Sequence, residues 1–301
     1  MKKLFDMIPK SYIFLFLAVF LWGIHGPAGR FLALRGVDLY FIASFRVVTA
    51  TVFLGVFLII KGRFPEIAGK DWKYIAGLSI VGLFLNTIFY HLSLNWISGT
   101  LLMILENLSP VFVFILSYIF LKIIPSRKDI VALLLSMVGL GVIVYGKGGF
   151  SFQGSEFPGI ILGVAAGFTF ACYIFFSSKV VRFQTGDPVR IIQFIFRLFL
   201  YSSFLMIPFL FTADRKPITW SEWFWVVEMG VGQSALAYIF WNYALVDIPA
   251  NKASVLFLFT IVFTSINEFV FLDLVLSTEL IAGGLFIIIS GRLITSRKKS
   301  T

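Results

Sequence analysis

Three charged side chains lie deep inside long uncharged stretches: Arg46, Glu106 and Arg197. A charge in such a setting is costly unless it meets a partner, a wet cavity or a substrate. Arg46 and Arg197 each read as an anion contact or as a structural arginine that binds backbone carbonyls or reaches an interface. Glu106 stands roughly seven residues into its apolar run, about 10 Å deep at a rise of 1.5 Å per residue. A carboxylate at that depth is paired or neutral. Three roles fit it: taking up and releasing a proton, holding an amine, or forming an ion pair with Arg46. His25 and Trp22 precede Gly26–Pro27, where a helix can break, and His25 suits a proton relay or a fixed hydrogen bond. Asn86, Tyr90 and Ser93 recur at i, i+4 and i+7, one helical face, with His91 beside Tyr90. Gln233, Ala237 and Trp241 share a second such face, and Ser234, Tyr238 and Asn242 a third. Aromatic rings next to amides and imidazoles suit a cavity for a small polar molecule with an apolar part. The same residues also suit interhelical hydrogen bonds or a belt at the headgroups. The candidate substrate-binding set is therefore Trp22, His25, Asn86, Tyr90, His91, Glu106, Tyr238, Trp241 and Asn242, with Arg46 and Arg197 as structural or anion contacts. Glu228 and Glu268 lie nearer the ends of their runs and are expected in solvent.

Other chemistries find no support. There is no G-x-x-x-x-G-K-[ST] loop for nucleotide phosphates, and H-E-x-x-H cannot occur because His25 and His91 are the only histidines. No nucleophile elbow is visible. Cys172 is the single cysteine, which excludes an intrachain disulfide. No enzyme activity, cofactor or metal is expected. Movement of a small molecule would draw on its own gradient or on an ion gradient, with a proton as the coupling ion.

The elements that must position these residues follow from composition. Of 301 residues, 59% are hydrophobic and 13% charged. Soluble domains average about 45–50% and about 25%. A soluble enzyme, a nucleic-acid-binding domain and a disordered chain are excluded, in spite of the net charge of +10. A bilayer core about 30 Å thick takes roughly 20 apolar residues per helix. The charges punctuate the sequence into ten spans, at 11–33, 38–60, 73–96, 99–121, 128–146, 157–178, 189–211, 221–245, 251–272 and 277–295. All must be helical, because lipid satisfies no open sheet edge. The first run is too long for a cleaved signal peptide and lacks its small-residue site.

Ten spans put both termini on one side. Of the 25 Lys and Arg, Arg46 and Arg197 fall inside spans, and Arg30, Arg35, Lys147, Arg215 and Lys216 fall opposite the termini. The other 18 share the side of the termini, which makes that side cytoplasmic. The basic balance thus reads as topology and contact with membrane lipid, not nucleic acid.

Shifted by 151 residues, the chain matches itself. Phe45–Arg46 falls on Phe196–Arg197, Asp71–Trp72 on Glu222–Trp223, and Ile88-Phe-Tyr-His91 on Ile239-Phe-Trp-Asn242. Each half, 1–148 and 149–301, holds five spans. Five is odd, so the second half enters from the other side, an inverted repeat. In the sixth span Gly159, Gly163 and Gly167 form a small-residue ridge for close helix packing, or for a weak dimer of an otherwise monomeric chain.

The chain resembles the drug/metabolite transporter superfamily, and within it the EamA-type ten-helix permeases. The features that carry the resemblance are Trp22–Gly23, Arg46, the run Tyr90-His-Leu-Ser-Leu-Asn-Trp-Ile-Ser-Gly99 and the Asn107-Leu-Ser-Pro110 element. Gly139 and Gly141, and Gly283, Gly284 and Gly291, close the two halves in the same manner. The resemblance implies an all-α integral membrane protein of the plasma membrane that exports small metabolites such as amino acids by alternating access. An organophosphate, nucleotide-sugar or lipid-linked substrate is the alternative, and would call for more Lys and Arg facing the cavity. A passive pore or a membrane enzyme is a remoter reading. Two positions depart from the family pattern. Leu121-Lys-Ile-Ile124 lacks its acidic residue, and Thr260–Ile261 stands where a second proline would match Pro110.

Overall fold

The computed structural model describes residues 9–97, 99–146, 156–183, 187–212, 218–272 and 277–296, and among these there is no strand. Lys2, Lys3, Lys147, Arg215, Lys216, Arg297, Lys298 and Lys299, used above for orientation, lie outside the described residues, as does the side chain of Glu268. Ten helical stretches follow one another. They are α1 (Lys10–Gly23 and His25–Leu34), α2 (Leu39–Ile60), α3 (Trp72–Ser79, Ile80–Leu85 and Asn86–Ser93) and α4 (Gly99–Glu106 and Ser109–Leu121). Next come α5 (Arg127–Gly146), α6 (Phe157–Phe183) and α7 (Pro188–Thr212). The last are α8 (Trp220–Glu228, Met229–Leu236 and Ala237–Asp247), α9 (Ala250–Phe257 and Phe259–Leu272) and α10 (Thr278–Thr295). Among the described residues nine stretches are long and apolar enough to cross a bilayer. The tenth, α8, is long enough too, and Gln233, Ser234 and Asn242 make it more polar. The fold is all-α and integral to the membrane.

Polar side chains set the helix starts. Asp38 accepts a bond from the Phe41 amide (2.7 Å), Thr219 and Glu222 form a reciprocal capping box, and Ser277 accepts from Leu280. After α1 the chain turns at Gly36, whose φ of 73° a side chain would resist.

Five helices are irregular inside the membrane, and in four of them the irregularities pair up between the halves. α3 and α8 each contain a π-helical segment, ending at Leu85 and Leu236, 151 residues apart. α4 breaks after Glu106, where Pro110 lacks an amide for the Glu106 carbonyl. α9 breaks at Leu258 without a proline. Leu258 N–H turns back to the Val255 carbonyl, and Thr260 Oγ1 donates to that of Phe257 (2.6 Å). A hydroxyl bonded three residues back does there what a proline does in α4. α1 breaks at Ile24, ahead of Gly26–Pro27. Pro27 sits in the first turn of the second segment, where a missing amide costs nothing.

Packing follows the repeat. α5 runs along α10, and α2 along α7. α1 lies on α8 as α6 lies on α3, and α1 on α9 as α6 on α4. One relation is not repeated. α6 also packs on Ala237–Asp247 of α8 and on Ala250–Phe257 of α9, while α1 makes no comparable packing with α3 or α4. The bundle is therefore closed near the α8–α9 turn, on the face where α1 begins (the first face). On the far face the described residues show no comparable packing of α1 on α3 or α4.

Glycines set the tightest approaches. A methyl built on Gly139 of α5 would come 2.6 Å from the Gly283 carbonyl oxygen of α10. The Gly159–Gly163–Gly167 ridge is filled within the chain, by Trp96, Leu105 and the Leu105 carbonyl, so it is not a dimer face. Gly139→Val should lower the melting temperature by the equivalent of about 1–3 kcal/mol of overpacking. Gly141→Val, at a position with nothing within 4 Å, should melt as the parent does. Equal melting of the two variants would refute the α5–α10 contact.

Candidate functional site

A cavity of about 100 Å³ lies among α1, α2, α3, α4, α6, α8 and α9. Its polar wall comes from His25, Arg46, Asn86, Thr87, Tyr90, His91, Glu106 and Gln233. Trp22, Phe170, Tyr238 and Phe257 supply an aromatic wall, and Thr260 also faces it.

The helix irregularities place these groups. Glu106 is the last residue of the first α4 segment, and Asn86 opens the α-helix that follows the π segment of α3. The Asn86 side chain donates to the Ala166 carbonyl (2.9 Å) and also bonds Glu106. A methyl on Gly167 would sit 2.5 Å from the Leu105 carbonyl oxygen, so the α6 ridge fixes the backbone that carries Glu106. His91 is turned by its own helix: Nδ1 bonds the Thr87 carbonyl at 2.7 Å, which leaves Nε2 as an acceptor.

Arg46 faces the same space from α2. Its Nη1 is 3.3 Å from His25 Nδ1 and 3.5 Å from His25 Nε2, and its Nε is buried without a partner. Arg46 and Glu106 are close enough to interact as charges, yet no ion pair joins them. Two opposite charges thus share one cavity without contact, and the direct pair considered from sequence is not formed.

The aromatic wall is a packed cluster. Trp22 contacts Phe170, Tyr238, Trp241 and Phe257 at centroid distances of 5.1 to 6.0 Å and donates its indole N–H to the Gln233 carbonyl (2.9 Å). It lies on the side of the first face, where α6, α8 and α9 close.

Several residues singled out from sequence lie elsewhere. Trp241 is fully buried behind Trp22, and Asn242 bonds Tyr173 Oη (2.7 Å) and the Tyr238 carbonyl, so neither lines the cavity. Ser93 bonds the Gly159 carbonyl. Arg197 is 5% exposed and makes a two-pronged pair with Asp71 (2.7 and 3.3 Å), far from the cavity. Glu228 is partly exposed and accepts from Gln233 Nε2 at 2.5 Å, so it is held by the protein as well as by solvent. Thr87, Phe170 and Phe257 line the cavity and carried no signal beyond their position in spans, and Thr260 was marked only as standing in place of a second proline. Gln233 was on a recognised face but outside the candidate set.

A model of the EamA-like transporter family matches residues 9–145 and again 157–296, once in each half. A protein of Archaeoglobus fulgidus described as an uncharacterized transporter is 26% identical over 269 residues, covering 87% of this chain and 89% of its own. A second from that organism, with the same description, is 26% identical over 254 residues (83% and 85%). One from Clostridium kluyveri, again so described, is 22% identical over 297 residues (93% and 91%). A solved crystal structure superposes with a TM-score of 0.80 over 95% of this chain and 96% of that one, at 19% identity, a likeness of fold.

Proposed function

The chain belongs to the EamA-like transporter family, and from that premise we propose that it is a secondary transporter of zwitterionic small metabolites, amino acids above all. The observation that carries the reading is the unpaired placement of Arg46 and Glu106 on one cavity wall. A zwitterion answers both, its carboxylate meeting the guanidinium and its ammonium meeting Glu106. The aromatic wall suits an apolar side chain. A phosphate-bearing substrate fits less well, because among the described residues Arg46 is the one Lys or Arg of the cavity lining and Arg197 is held by Asp71.

Transport proceeds by alternating access. The repeated packing, with one closure formed only on the first face, is the arrangement expected when two related halves exchange conformations. With the termini in the cytoplasm of a plasma-membrane protein, this state opens outward. In an exporter it is the state that releases substrate. Glu106 takes the coupling proton when the ammonium leaves. Counterflow in liposomes, with a panel of amino acids, nucleosides, sugar phosphates and cationic drugs, tests the reading. Saturable exchange of an amino acid is expected. An unsaturable leak, or exchange of sugar phosphates alone, would overturn it.

A further inference from the structure

Arg46 does not reach the cavity unaided. Glu228, on the turn before the π segment of α8, accepts from Gln233 Nε2. That bond orients the amide, so Gln233 Oε1 must be the atom 2.8 Å from His25 Nδ1. An amide oxygen only accepts, so Nδ1 carries the proton and the lone pair of His25 remains on Nε2. Arg46 Nη1 stands 3.3 Å from Nδ1 and 3.5 Å from Nε2, nearly equidistant, so it lies against the face of the ring and not in line with one lone pair. A guanidinium has donors and no acceptor, so this contact needs the ring held neutral and in place.

The relay is built into the fold. Gln233 is 2% exposed. The Glu228 carboxylate lies over Gly232, where a side chain would collide with it. Gly230 lets α8 approach Thr49 and the Arg46 carbonyl of α2. Ser234 Oγ donates to the Met229 carbonyl five residues back (2.9 Å), which holds the π turn.

We propose that Gln233, backed by Glu228, is a positioning residue that fixes the Nδ1–H tautomer of His25 and thereby holds Arg46 as the anion end of the cavity. The transport consequence rests on the zwitterion reading above; the tautomer does not.

The chain has two histidines, so nitrogen NMR of histidine-labelled protein in lipid gives two resonance sets, assigned with His91→Gln. Wild type should show His25 as Nδ1–H. Gln233→Met should convert His25 to the other tautomer or a mixture, while His91, held by the Thr87 carbonyl, stays unchanged. If Gln233→Met does not fold, Glu228→Gln serves, since it frees the amide to flip and should give a mixture. An Nε2–H tautomer in wild type, or a His25 signal indifferent to both changes, would overturn the proposal. In counterflow, Gln233→Met should raise KM for the amino acid about tenfold and leave KM for the matching amine without a carboxylate within twofold. Equal rises for both would also overturn it. If wild type moves no zwitterion, the substrate reading falls and the tautomer still decides the relay.

Discussion

Glu106→Gln should lower kcat/KM for an amino acid by roughly 30-fold or more, with expression and melting like the parent. Removing one partner of a buried charged contact typically costs about 2–5 kcal/mol, and each 1.4 kcal/mol is a factor of ten. The amide keeps the size of the side chain and its bond to Asn86. It gives up the charge that answers an ammonium. A carboxylic acid of the same skeleton without the amine should lose no more than a fewfold, since Arg46 remains. Uptake driven by a proton gradient should vanish, leaving exchange of substrate for substrate. Measured in proteoliposomes, an equal loss for the amino acid and the acid would remove Glu106 from ammonium recognition. Proton-driven uptake that survives would remove it from coupling.

Asp71→Ala should destabilise the protein more than Arg197→Met does, and the double change should recover part of the loss. Arg197 is buried and its carboxylate partner is 44% exposed. Removing the acid strands a guanidinium whose Nε already lacks a partner. Fully buried cases of this kind cost about 3–5 kcal/mol, and water at Asp71 reduces that to about 2 kcal/mol. Methionine in place of arginine removes the charge and keeps the apolar stem. Melting of the three variants in one detergent checks the order. A double variant less stable than Asp71→Ala would contradict the ion-pair account.

The two arginines show what repeat matching can and cannot give. Arg46 and Arg197 occupy matched places, and their partners differ, His25 for one and Asp71 for the other. Sequence marked both as costly; it did not say which faced the cavity. Span limits were legible because charges punctuate them, and the structure moves most ends by only a few residues. Side-chain facing failed where helices depart from 3.6 residues per turn. Across the π segment of α8, Gln233 and Tyr238 both face the cavity at a spacing of five, whereas an α-helical wheel separates them. The same wheel put Trp241 with Gln233 and so on the wrong side of Trp22. In α3 the π segment ends before Asn86, and there Asn86 and Tyr90 fall on the cavity as the wheel expects. The break at Leu258 was invisible because a threonine, common in any helix, replaces proline.

The single thiol of the chain, Cys172, is 6% exposed within α6. To a water-borne maleimide the native protein is nearly a blank background. A cysteine put in place of Thr87 or Thr260, on different helices of the cavity lining, would report alone. Labelling from either side of the membrane could then time the opening of each mouth without a cysteine-free parent having to be engineered first.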